Sequence, residues 1–176
     1  LVSQMVQAAV IENDARAILQ DGLAYDRCTV GVVTDMDGFE GLAEFDVHEP
    51  AQMTKVLRTQ VDVVLPSGAA VLNADEPQVA DLARLCDGAV ILYSADADNP
   101  LVAAHRAHEQ GRAVLVKGGN VVLATGAAEK SLGAVSRLAF AQGASTPPVA
   151  TLLAAMGAAW ALDIAPDLIA AGIKTF

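Results

Sequence analysis

Apolar residues in this chain fall into short unbroken runs, separated by stretches in which they recur every three or four positions. Residues 6–11 carry the first run, read as a strand, and end on Glu12-Asn13-Asp14. Residues 15–20 follow as a short helix closed by Gly22, with Leu19 and Leu23 at helical spacing. TVGVVT at 29–34 is an uninterrupted apolar strand of the kind buried on both faces of a parallel sheet, and an acidic tip, Asp35-Met36-Asp37-Gly38, follows it. Met53, Val56, Leu57 and Gln60 predict an amphipathic helix over 49–61 with Pro50 in its first turn.

The stretch 61–77, VDVVLPSGAAVLNADEP, organises its neighbours. Two apolar runs flank Pro66-Ser67-Gly68, which reads as a turn, and the second run ends on Asn73-Ala74-Asp75-Glu76-Pro77. Ligands of open α/β sheets collect outside the carboxyl ends of the strands, so Asn73, Asp75 and Glu76 stand where a nucleotide or a metal could be met. The plainer reading makes Asp75 the N-cap of the next helix, with Pro77 in its first turn.

That helix, 78–86, has Val79, Leu82, Ala83 and Cys86 on one face and stops at Asp87-Gly88 before a strand at 89–93. A helix bearing His105 and His108 spans 100–111, and strands 112–117 and 120–124 form a hairpin across Gly118-Gly119. Residues 126–148 read as loop with one short strand at 136–140, before helices at 149–162 and 166–175, the latter with Asp167 near its start. The alternation predicts an α/β fold, a mostly parallel sheet with helices on both faces and a small β-hairpin insertion. It divides as a βαβ core over 1–98, a helix and hairpin over 99–148, and closing helices over 149–176.

Composition narrows the function classes. At 176 residues the chain is about one domain long, and 53% hydrophobic with 4% aromatic content suits an Ala/Val/Leu core. A net charge of -10 argues against a nucleic-acid or anionic-membrane surface, because phosphate affinity rests on an excess of Lys and Arg, and this chain has 11 of them against 21 Asp and Glu. The near-apolar run 149–164 falls short of a membrane span and is Ala-rich at helical spacing. Cys28 and Cys86, far apart and in apolar settings, are expected to be buried free thiols, as in a reducing cytoplasm. No basic leader precedes the first run. An opening on Leu-Val-Ser suggests the interior of a longer polypeptide.

Two further features carry no chemistry of their own. His105 and His108 share a helix face, but only Glu109 accompanies them, and a solvated face is the simpler reading. Gly118-Gly119 and Gly126 match no Walker A sequence and are read as hairpin and loop glycines.

Three segments taken together resemble a known family: AVIENDARAILQDGLAYDRCTVGVVTDM at 9–36, VLPSGAAVLNADEPQVADLARLCDGAVILYSAD at 64–96, and LLAAMGAAWALDIAPDLIAAGIKTF at 152–176. They are similar to the Mur-ligase-like half of the cyanophycin synthetases. The most specific stretches are Asp21-Gly22-Leu23-Ala24-Tyr25-Asp26-Arg27-Cys28 and Leu72-Asn73-Ala74-Asp75. The resemblance implies the central, P-loop-type domain of a Mur ligase, in a parent enzyme that joins Asp and Arg into a storage polypeptide with ATP and magnesium. It implies Glu12 as the strand-end carboxylate near magnesium, Asn73 as the reader of the adenine edge, Asp75 beside it, and Thr151 where the family has an Asn.

Other positions depart from the family. Its Glu-Thr-Ala-Arg-Gly-Gly reads Glu12-Asn13-Asp14-Ala15-Arg16-Ala17 here, without either glycine and with the arginine displaced by one. No histidine follows the 29–34 strand before His48, and Leu57 stands where the family has a lysine, with Lys55 turned to another face. The P-loop would lie upstream of Leu1 and the lid beyond Phe176. Phosphoryl transfer depends on positioning and charge neutralisation, so these departures imply a degenerate, structural domain, inactive alone. The expected partners are the ATP-grasp half of the parent chain and further copies in a homo-oligomer, with no nucleic acid and no membrane. The alternatives are an active ligase domain working through an acyl phosphate, and a nucleotide-binding regulatory module.

Overall fold

The computed structural model describes residues 5, 6, 8–137 and 148–175. Its elements are α1 (Ala15–Asp21), β1 (Cys28–Val33), α2 (Pro50–Leu57), α3 (Thr59–Asp62), β2 (Val64–Asn73), α4 (Pro77–Ala80) and β3 (Ala89–Ser94). They continue as α5 (Pro100–Arg106), β4 (Arg112–Lys117), β5 (Asn120–Thr125), β6 (Ala128–Ala134), α6 (Val149–Ala161) and α7 (Pro166–Thr175). The strands form one six-stranded sheet in the order β1-β2-β3-β4-β5-β6, parallel from β1 to β4 and antiparallel from β4 to β6. The expected α/β fold with a mostly parallel sheet is therefore present, and the hairpin continues that sheet.

Sequential parallel neighbours with same-handed crossovers place every connection on one face. Ala70, Leu72, Leu92, Ala113 and Leu115 turn to that face and pack with Ile18 of α1, Met53 and Leu57 of α2, Val61 of α3, Val79 of α4 and Val102 of α5. The alternate residues Val71, Ile91, Tyr93 and Val114 turn the other way, under Leu152, Leu153 and Met156 of α6 and Ile169 of α7. This alternation is the period of two that a pleated strand imposes. Gly157 meets Val71 and Val114 in mid-sheet, while the Trp160 carbonyl meets Arg112 at the start of β4. Helix α6 thus runs against the strands and brings its amino end to their carboxyl ends.

Several expectations are corrected. Residues 6 and 8–11 form no strand, and Val6, Val10 and Ile11 are exposed: no partner ladder within the described residues takes up their backbone groups. Pro66-Ser67-Gly68 is a bulge inside one continuous strand, since pairing advances two residues on β1, from Cys28 to Val30, while it advances five on β2, from Val64 to Ala69. Proline lacks the N–H a regular ladder needs, and Gly68 and Gly88 let three backbones close on one another: a Cβ on Gly88 would stand 2.5 Å from the Gly68 carbonyl oxygen. The amphipathic helix over 49–61 breaks at Arg58 into α2 and α3, and the helix over 78–86 is α4 followed by a 3-10 turn, Asp81–Leu85. The stretch read as loop at 126–135 carries a strand, β6, ahead of the one placed at 136–140. Residues 136 and 137 sit in a 3-10 turn, and 138–140 fall outside the described residues. Both cysteines are free and half-buried.

Candidate functional site

The carboxyl ends of β1, β2 and β3 gather the residues singled out in the sequence. Buried Asn73 closes β2 and uses its amide within the fold: Nδ2 donates to the Thr34 carbonyl at 2.9 Å, and Oδ1 accepts from the Asp75 N–H at 3.0 Å. An amide offers two donors and two lone pairs, so one of each remains.

Asp75 is not the helix cap the plainer reading expected. Glu76 occupies the N-cap position of α4 and Pro77 its first turn, without a capping side-chain bond. The Asp75 carboxylate instead accepts from the Ser94 hydroxyl, from the Ala95 N–H at 2.8 Å and from Asn99 Nδ2 at 3.3 Å. It staples the end of β2 to the end of β3. Asn99 completes the staple by donating to the Ala74 carbonyl and capping α5 through Leu101 N–H and Val102 N–H. Ser94 and Asn99 were missed in the sequence reading, although Asn99-Pro100 carries a helix-start signature.

A cleft of about 390 Å³ opens beside β1, lined by Glu12, Asn13, Thr34, Asp35, Asp37, Leu57 and neighbouring side chains. Glu12 is exposed there, and Thr34 links this cleft to Asn73. Asp14 caps α1 by accepting from the Ala17 N–H at 2.7 Å, and Asp35 is held by Thr34 Oγ1 and the Asp37 N–H. Thr151 lies exposed on the first turn of α6, at the same edge but outside the cleft lining.

Charge at this edge is of one sign. Among the described residues no lysine or arginine lines the cleft, while Glu12, Asp14, Asp35 and Asp37 all do. Burial, followed by the charges of Asp37 and Asp35, holds the Glu76 carboxyl above its ordinary range, against an opposing backbone hydrogen bond from Met36. Burial also pushes the Tyr93 phenol up, with Asp35, Glu76 and Asp75 adding to it. Its hydroxyl, fully buried, makes no hydrogen bond within the described protein.

The displaced arginine faces elsewhere. Arg16 binds Glu44 and the Gly41 carbonyl and lies 5.7 Å from the Phe45 ring centre. Leu57 is buried against the cleft, and Lys55 is exposed. His48 lies 3.6 Å from Asp46, outside the cleft. His105 is half-buried rather than on a solvated face, with Nε2 3.2 Å from the Val90 carbonyl, and burial lowers its pKa. Among the described residues, no group of three His, Cys, Asp or Glu side chains is arranged to hold a metal. The described residues therefore do not by themselves fit a magnesium-bound triphosphate: the carboxylates that share the cleft with Glu12 form no metal-holding group, and no lysine or arginine among them lines it.

Curated relatives extend over nearly all of the chain. It is 35% identical over 173 residues, 97% of its length, to the cyanophycin synthetase of Synechocystis. The cyanophycin synthetases of Geminocystis herdmanii and Crocosphaera subtropica are 33% and 31% identical over the same 97%. The chain is similar to one segment of cyanophycin synthetase. It spans 20% of the length of each of these three relatives. No family model matches it. Among the described residues, no helix is long and apolar enough to cross a membrane.

Proposed function

We propose that this chain is a structural segment of a cyanophycin-synthetase-type, ATP-dependent ligase, with a Mur-ligase-like site that no longer transfers phosphoryl groups. The parent would polymerise Asp and Arg units in the cytoplasm, with its ATP-grasp half supplying the nucleotide chemistry and this segment serving as scaffold within a homo-oligomer. The observation that carries the reading is the single-sign cleft. Glu12, Asp14, Asp35 and Asp37 line it without a lysine or arginine, whereas phosphoryl transfer requires cationic groups around the transferred phosphate. Arg16, the nearest analogue of the family's arginine, is bound to Glu44 and Gly41 instead.

A nucleotide-binding regulatory module is the second reading. It is favoured by Asn73, which stands at the strand end and keeps one donor and one acceptor for an adenine edge. Photolabelling of the full-length parent with an azido-adenine nucleotide, followed by peptide mapping, separates the two. The scaffold reading predicts label only outside these 176 residues. Label in the peptide carrying 73–76, lost in Asn73→Ala, would establish the second reading in its place.

A further inference from the structure

We infer that the outward face of α7, with the turn before it, is a self-association surface on which a second copy of this chain packs its own α7 antiparallel about a two-fold axis. At about 100° per residue, Ile169 and Ile173 share the side of α7 that packs on the core with α6, while Leu168 and Ala171 share the opposite, exposed side. Leu168 is 66% exposed, and Leu162 and Ile164, in the turn between α6 and α7, are 48% and 39% exposed. Three large apolar side chains are thus left to solvent along one short stretch of chain. A helix on a free surface carries polar residues on its outer side, whereas Asp167 and Lys174 are the only charged residues of α7. An apolar side of this kind, rimmed by a few charges, has the composition of an interface.

The two charges name the occupant and its direction. Asp167 and Lys174 stand two turns apart on the same flank of the outward side, one near each end of the helix. A two-fold axis across the middle of α7, near Ala170 and Ala171, sets that flank beside the same flank of the second copy with its ends exchanged. Asp167 of each copy then meets Lys174 of the other, and Leu168 packs across the axis on the small side chains at the middle of the facing helix. Parallel packing would set like charges together at both ends. The outward side of α7 is therefore complementary to itself in charge and in shape, and only when antiparallel.

Two acidic chains can approach at this place. Helix α7 packs on β6, at the edge of the sheet opposite β1 and the acidic cleft. Asp167 holds Lys130 at 2.9 Å, and Asp163 lies within electrostatic reach of Arg112. With Lys174, the bases beside these two acids spare the surface the one-signed charge of the cleft, in a chain of net charge -10. The inference rests on the homo-oligomeric part of the proposed function, to which it assigns a surface, and not on whether nucleotide binds at the site.

Sedimentation equilibrium of the full-length parent at low ionic strength tests it, with Asp167→Lys and Lys174→Asp made separately and melting curves confirming that both exposed-site variants fold. Each variant alone sets like charges together at both ends of the contact, and its self-association should weaken by about tenfold or more. An equimolar mixture of the two restores both Asp–Lys contacts in the mixed pair, and association should return to within about threefold of wild type. Rescue on mixing requires two copies, so its absence would overturn the inference and assign the face to another part of the parent or to a different partner. A parent that assembles with unchanged affinity in both variants would also overturn it, while leaving the homo-oligomeric reading in place. A wild-type parent that sediments as a single copy would overturn both.

Discussion

Asn73 donates from Nδ2 to the carbonyl of Thr34 at 2.9 Å, tying the end of β2 to the end of β1. With the same amide accepting from Asp75, the side chain is a structural tie at the very position where a nucleotide reader is expected. Asn73→Ala leaves a carbonyl and an N–H without these partners at a buried site, and it should lower unfolding free energy by about 1–3 kcal/mol. Chemical denaturation of the parent with and without magnesium-ATP checks this. The scaffold reading predicts the same loss in both conditions.

Gly88 predicts the cost of filling the bulge. A Cβ there would lie 2.5 Å from the Gly68 carbonyl oxygen and 2.7 Å from that of Leu65, both backbone atoms that cannot rotate away. Gly88→Ala should destabilise by about 3 kcal/mol. Gly172→Ala, on α7 with open space at its Cβ, is the control and should leave the melting temperature unchanged or slightly raised. Thermal unfolding of both variants measures the difference.

At the other end of the sheet, Arg112 lies 4.0 Å from the Trp160 ring centre and donates from Nη2 to the Trp160 carbonyl at 3.0 Å. It holds the carboxyl end of α6 against β4. Arg112→Met keeps the aliphatic stem but removes the charged hydrogen bond and the ring contact. The expected loss is about 1–3 kcal/mol, read by chemical denaturation.

Glu76 sets the sign of a pH effect. Its carboxyl is raised in the folded state, first by burial and then by Asp37 and Asp35, so the native state prefers it protonated. Its favourable contribution is complete below the ordinary glutamate pKa and is lost as pH rises through the raised value. Glu76→Gln should therefore raise the melting temperature at pH 7 relative to wild type. The difference should vanish below the ordinary glutamate pKa, as melting curves across that range would record.

Much of the sheet was legible from the sequence because local and global signals agree. TVGVVT and the hairpin across Gly118-Gly119 lie within a residue of β1, β4 and β5, and Gly22 closes α1 as expected. The misses fall where tertiary contacts override local chemistry. Pro66-Ser67-Gly68 has the composition of a turn, yet the cores on both sides hold the chain in one strand and absorb the extra residues as a bulge. Residues 6–11 have strand composition, but a strand exists only with a ladder to join. At the site, the acidic tips were visible one by one, but their convergence with Glu12 on a cleft without cations depends on packing of α1, α2 and β1 that no local pattern encodes. The Asp75–Ser94–Asn99 staple was hidden for the same reason, since its members come from different strand ends.

The most direct measurement is ATP-dependent polymer synthesis by the full-length parent carrying Glu12→Ala, with folding verified by its melting curve. Glu12 is exposed in the cleft, so the variant should fold and turn over within about twofold of wild type. A fall of about a hundredfold or more with the fold intact would contradict the account, because a loss of that size marks a carboxylate at work in phosphoryl transfer.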